Sequence, residues 1–142
     1  LTQKHLYKQT VGQDGKVEKY KYRLAAQGFW QVENVHYTET YSSTPETASI
    51  RMMLVTVAAK NGELCHLDAK QAFLKADIDE ELYIEIPEEY QVFLRLVGRL
   101  NKAIYGLVQA GRCWSNKVFN DMTAIRFEQA KADPCFVRSL TE

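Results

Sequence analysis

With 142 residues, 46% of them hydrophobic and 25% charged, the chain has the make-up of a soluble globular protein, enough for one domain with a real core and too little for two ordinary ones. No apolar run approaches the ~20 residues of a membrane span, and the start, Leu-Thr-Gln-Lys-His-Leu-Tyr-Lys, lacks a signal-peptide apolar core. Cys65, Cys113 and Cys135 lie far apart, without zinc spacing or an even count for disulfides, and read as reduced intracellular thiols. The first residue is not Met, so an excised or partial piece is expected.

The formal net charge of +0 hides segregation. Residues 1–31 carry six Lys/Arg against Asp14 and Glu18. Residues 63–91 carry nine acids against Lys70 and Lys75, and residues 93–126 six Lys/Arg against Asp121. This order suits a protein that holds a polyanion on its flanks and a cation near its middle. Ordinary solvated faces give the same runs, and overall neutrality argues against tight nucleic-acid binding by this piece alone.

In chain order, residues 6–11 and 17–25 flank Gly12-Gln13-Asp14-Gly15, whose Asp-Gly supplies the dihedrals of a tight β-hairpin turn. Lys19, Lys21 and Arg23 follow at period two and share one face, fit either to meet phosphates or to keep a strand soluble. Residues 26–46 read as irregular and polar. Ile50, Met53, Leu54, Val57 and Ala58 then form one helical stripe, expected to be core. Thr47 or Ser49 is placed to cap its start, and Asn61-Gly62 to end it.

Residues 64–69 read as a strand, with Leu64, His66 and Asp68 on one face. A carboxylate in such a run is costly unless paired, hydrogen-bonded or metal-bound. Asp68 therefore either caps the following turn or belongs to a metal-dependent phosphoryl-transfer site; His66 reads as structural. A short turn or helix over 70–76 precedes the acidic loop 77–81. Leu82, Ile84 and Ile86 alternate with Tyr83 and Glu85 as a half-buried strand, with residues 93–97 as its partner through the 88–92 turn. A helix follows over 109–124, with Trp114, Val118, Met122 and Ile125 on one face and Arg112 and Lys117 outside it, and residues 132–139 start another strand. The order predicts an α+β domain with a mostly antiparallel sheet and two main helices.

Taken together, these segments resemble copia-type retrotransposon reverse transcriptases over nearly the whole chain. Lys21-Tyr-Arg-Leu-Ala-Ala-Gln-Gly-Phe-Trp-Gln31 resembles the end of the family's fingers hairpin. Tyr37-Thr-Glu-Thr-Tyr-Ser42 and Ser49-Ile-Arg51 are similar to the next block, and Leu67-Asp-Ala-Lys-Gln-Ala-Phe-Leu74 to the first catalytic block. Asp77-Ile-Asp-Glu-Glu-Leu-Tyr83, Ile104-Tyr-Gly-Leu-Val-Gln-Ala-Gly-Arg112 with Trp114, and Lys131-Ala-Asp-Pro-Cys135 follow in the family's order.

The resemblance implies a single partial reverse transcriptase domain over 1–142, with a fingers-like hairpin and loop over 1–46 and a palm-like portion over 47–142. It implies RNA-directed DNA polymerisation by two-metal phosphoryl transfer, with Asp68 as catalytic metal ligand and the Ala69 carbonyl as a second oxygen ligand for Mg²⁺. Lys21 and Arg23 would clamp the triphosphate, and Phe73 would sit under the sugar and exclude a 2′-hydroxyl. Tyr105 and Gly106 would line the nucleotide pocket, with Gln109, Ala110 and Arg112 touching pocket and template. RNA or DNA template-primer, deoxynucleotides and the remainder of a Pol polyprotein would be the partners, without a membrane, in a cytoplasmic particle or the nucleus. The family's Tyr-x-Asp-Asp turn is not within the 142 residues, and Glu46, Gln71, Val108 and Gly111 stand where the family usually has Arg, Thr, Lys and Pro. The expectation is therefore a chain inactive as given. The alternative is a non-catalytic remnant or domesticated module that binds nucleic acid or a protein partner.

Overall fold

The computed structural model describes residues 1–87, 90 and 96–140. Strands β1 (Gln3–Val11) and β2 (Val17–Ala26) form a long antiparallel hairpin. Of the Asp-Gly pair in its turn, Gly15 takes the positive φ and Asp14 does not. Gly15 has φ +77°, its N–H donates to the Gly12 carbonyl at 3.0 Å, and the Lys16 N–H donates to Asp14 Oδ1 at 3.1 Å. The register pairs Lys21 with Lys8, Arg23 with Leu6 and Ala25 with Lys4. Lys4 and Lys8 thus join Lys19, Lys21 and Arg23 on one face. The opposite face carries His5, Tyr7, Tyr20 and Tyr22, where the Tyr7 and Tyr22 ring centroids are 5.1 Å apart.

After a 3₁₀ turn at Gly28–Trp30 and an irregular stretch come helices α1 (Thr47–Ala59) and α2 (Ala72–Lys75). Strand β3 (Tyr83–Glu85) pairs antiparallel with β4 (Val97–Arg99). Helix α3 (Ala110–Ala124) leads into β5 (Phe127–Gln129), which pairs antiparallel with β6 (Val137–Ser139). The class is mixed α+β, and among the described residues the expected sheet is divided into three two-stranded ladders. The predicted strand over 93–97 falls largely outside the described residues, and the partner of β3 lies at 97–99.

Alanine is the commonest residue of the core. Ala26, Ala76, Leu82, Ile84, Ala103, Ile104, Leu107, Ala110 and Cys113 form one buried cluster, with Phe73, Ile78, Leu100 and Trp114 packed against it. Leu82 and Ile84 are the inward residues of the alternation around β3, and Tyr83 and Glu85 point outward. Each such aliphatic side chain contributes roughly 1.5–3 kcal/mol by its burial. Backbone hydrogen bonds stitch the cluster's segments together: Ala103 N–H to Ala76 O at 2.9 Å, Leu100 N–H to Leu82 O at 2.8 Å, and Ala26 N–H to Tyr105 O at 2.7 Å.

Two sequence expectations are corrected. Residues 64–69 form no strand. They run as irregular, exposed backbone with Leu67 at 87% exposure, because no described segment lies alongside to complete a ladder. The α1 stripe is not core either: Ile50, Met53 and Leu54 are 42%, 37% and 43% exposed, and the helix buries no residue. Amphipathic periodicity made the helix, but among the described residues nothing covers its apolar face. On α3 the buried residues are Ala110 and Cys113; Trp114, Val118 and Met122 of the predicted stripe are half-buried, Trp114 against the core, whereas Ile125, past the helix end, is 62% exposed and Arg112 is half-buried.

Candidate functional site

Three residues singled out in sequence meet at the base of the hairpin. Arg23, near the end of β2, holds its guanidinium 5.4 Å from the centroid of the Tyr105 ring. Tyr105 in turn meets Phe73 edge-on, with centroids 5.1 Å apart and ring planes at 72°. A cation over an aromatic face is attracted by the ring quadrupole, and edge-to-face rings satisfy the same preference. Arg23 is exposed, and among the described residues no carboxylate is paired with it. Its N–H edge therefore remains open to an oxyanion.

The backbone beneath this cluster is close-packed. Ala25 bridges Tyr105 in parallel, and Gly106 follows at φ +89°. A Cβ on Gly106 would lie 2.1 Å from the Ala26 carbonyl oxygen, and one on Gly28 would lie 2.0 Å from the Gly106 oxygen. Only glycine permits this approach.

The other residues expected to line a pocket are engaged within the fold. Gln109 is 0% exposed and Ala110 is 2% exposed. Gln109 Oε1 accepts from Gln31 Nε2 at 3.0 Å, and Gln109 Nε2 donates to the His36 carbonyl at 3.0 Å. Gln31 Oε1 accepts the Val108 N–H at 3.0 Å. Arg112 is engaged by Glu39, Nε to Oε2, at 3.0 Å. Gly111 faces Ser42, whose Oγ is 2.7 Å from Ser115 Oγ.

Asp68 and Ala69 remain exposed on the irregular segment, and among the described residues Asp68 has no ion pair or side-chain hydrogen bond. Lys21 is exposed along the hairpin, opposite Lys8. Among the described residues no three His, Cys, Asp or Glu side chains could together hold a metal ion. By itself a single carboxylate leaves Mg²⁺ mostly hydrated. Asp77 instead pairs with Lys102 at 2.5 Å, and that hydrogen bond holds its carboxyl below the usual range.

Sequence reasoning missed Asp133 and the role of Gln31. Asp133 is 4% exposed; its Oδ2 accepts the Glu46 N–H at 3.0 Å and its Oδ1 accepts the Cys135 N–H at 2.9 Å. It thus caps the start of α1 from across the fold, where Thr47 or Ser49 was expected to do so. The Asp-Pro pair at 133–134 signalled the local turn but not this remote bond. Nothing in Gln31 by itself marks it as buried, since its partners are far away in sequence.

In a mixed α+β domain, the cationic hairpin thus rests its Arg23 on the Tyr105–Phe73 ring pair. Residues 1–141 match the family model described as reverse transcriptase (RNA-dependent DNA polymerase). The chain is 37% identical over 134 residues to the retrovirus-related Pol polyprotein from transposon TNT 1-94 of Nicotiana tabacum, covering 93% of this chain and 10% of that protein. It is 32% identical over 130 residues to the Pol polyprotein from transposon RE2 of Arabidopsis thaliana, covering 90% of this chain and 9% of the relative. With the truncated transposon Ty1-A Gag-Pol polyprotein of Saccharomyces cerevisiae it shares 35% identity over 95 residues, 67% of this chain and 8% of the other. No solved structure matches. The chain belongs to the reverse transcriptases of copia-type retrotransposon Pol polyproteins. It spans about a tenth of the length of the curated relatives it matches.

Proposed function

We propose that the chain is the fingers hairpin, over 1–46, and a palm portion, over 47–142, of a copia-type reverse transcriptase, and that it receives the incoming deoxynucleotide and the template. The observation that supports this reading is the convergence of Arg23, Tyr105 and Phe73 from three separated stretches of sequence. A guanidinium braced on a ring presents a fixed fork to triphosphate oxygens. Phe73, half-buried beside it, would press on a sugar. Lys21, Lys19, Lys8 and Lys4 share the Arg23 face and add a salt-sensitive attraction for phosphates.

Polymerisation by two-metal transfer requires carboxylates from two separate elements. Asp68 offers one, and among the described residues no group of three ligating side chains completes a metal site. Alone, the 142-residue chain binds without extending a primer.

The test is the affinity for dTTP at low salt, wild type against Arg23→Ala. A well-formed charge-assisted hydrogen bond is worth roughly 1.5–3 kcal/mol, so the variant should bind about ten- to a hundredfold more weakly. Equal affinities would reduce the hairpin cations to solubilising charges.

A further inference from the structure

The pocket residue with the least access to any ligand is Gln109. It is fully buried, and both polar atoms of its amide are already engaged, with Gln31 Nε2 and with the His36 carbonyl. The Gln31 amide is engaged in the same way, with Gln109 Oε1 and the Val108 N–H. Two side chains 78 positions apart in sequence thus form one closed hydrogen-bonded pair. The pair ties the chain leaving the hairpin to the segment that carries Tyr105. For Gln109 to touch a nucleotide, it would have to release both partners and leave a buried amide and a buried carbonyl unpaired, which is disfavoured.

We infer that Gln31 and Gln109 are positioning residues: an amide latch that holds Arg23 over Tyr105 and Phe73, with no contact between Gln109 and the ligand. The inference rests on the nucleotide reading above. The latch works with the Ala26–Tyr105 hydrogen bond and the Gly28–Gly106 approach, which lie between the hairpin cations and the two glutamines. A shift of the 104–109 segment moves the ring under the guanidinium, so a defect at Gln109 reaches the phosphate site without touching phosphate.

The experiment titrates dTTP into the ¹⁵N-labelled 142-residue chain and reads the Arg23 Nε and the Gln31 and Gln109 side-chain amide signals. In wild type the Arg23 signal should move, and the Gln109 amide should stay in place and exchange slowly with water. Gln109→Glu keeps the shape and still accepts from Gln31, but as a carboxylate it cannot donate to His36. It should bind dTTP about tenfold more weakly than wild type at pH 8. At pH 6 it should recover toward wild type, because a buried carboxyl titrates upward and its protonated form donates again. Gln31→Met should lower affinity similarly, and the double variant Gln31→Met/Gln109→Glu should be no weaker than either alone.

A dTTP-induced shift of the Gln109 amide as large as that of Arg23 would overturn the latch. So would a folded Gln109→Glu chain with wild-type affinity at pH 8, or with no recovery at pH 6. Unfolding of the Glu variant at both pH values, with a folded Gln31→Met chain of wild-type affinity, would overturn it too. If Arg23→Ala binds as well as wild type, the nucleotide reading itself fails. The latch is then judged by whether Gln109→Glu displaces the Tyr105 ring signals at pH 8 and restores them at pH 6.

Discussion

The base of the hairpin and helix α1 are opposites. At the base, small residues let backbones touch: Ala25, Ala26, Gly28 and Gly106 bring β2 against residues 104–107, and the buried glutamines close the joint. On α1, large apolar residues stand in solvent, with Val55 at 68% and Met52 at 64% exposure. Hydrophobic size did not decide what is buried here. The presence of an opposing surface did, and alanine and glycine supplied one by allowing close approach.

The sharpest way to break this contrast is a single methyl group at the joint. Gly106→Ala places a Cβ 2.1 Å from the Ala26 oxygen at a residue with φ +89°. Neither atom is the end of a flexible side chain, so one of the two backbones must move. The strained dihedral costs roughly 1–3 kcal/mol by itself, and displacing one of the two backbones adds to that. Urea unfolding should show loss of the folded state or a midpoint far below wild type. A midpoint within error of wild type would mean the two segments are not in contact.

A smaller effect compares two leucines of equal size. Leu82 is 2% exposed and Leu54 is 43% exposed. Leu82→Ala should cost about 2–5 kcal/mol through lost burial and the cavity left behind. Leu54→Ala should stay within about 0.5 kcal/mol, as surface substitutions do. Equal losses in chemical denaturation would mean that α1 is covered after all. Repeating the pair in a longer piece of Pol polyprotein sharpens the comparison, because only a newly covered helix would raise the cost at position 54.

The same contrast explains what was legible in the sequence. The hairpin was readable because Asp14-Gly15 fixes its turn and alternation fixes its faces, both of them local signals. Helix α3 and strand β3 were readable for the same reason, with residues 109–124 predicted and Ala110–Ala124 found. The strand over 64–69 was misread because a strand is completed by a partner that the segment itself does not encode. The short strand β5 went unseen, since three residues carry too little periodicity to stand out. Arg23, Phe73 and Tyr105 were picked out by motif, but their mutual contact was not, and Gln109 was expected to line a pocket but is fully buried. Burial of a glutamine depends on partners such as Gln31 and His36, which are remote in sequence.

The smallest effect expected concerns an attachment of the start of α1. Asp133 fastens the helix start through the Glu46 N–H, and its carboxyl lies below the usual range, first through a hydrogen bond from the Ser49 hydroxyl and then through that N–H. A carboxyl that is more acidic in the fold than in the unfolded chain binds protons less readily when folded. Its contribution is therefore complete above the ordinary value of 3.8 and fades as the pH falls through the lower, folded value. Asp133→Asn keeps the shape and removes the charge. At pH 7 it should lower Tm measurably, because the charged form is the one the fold favours. As the acid limb is approached, the wild-type chain loses the same contribution by protonation, so the gap between the two should narrow below pH 4. Melting curves followed by circular dichroism across pH 3–7 decide it. A gap that widens toward low pH would mean that Asp133 acts in its neutral form, and no gap at pH 7 would mean that the helix start is held by other groups.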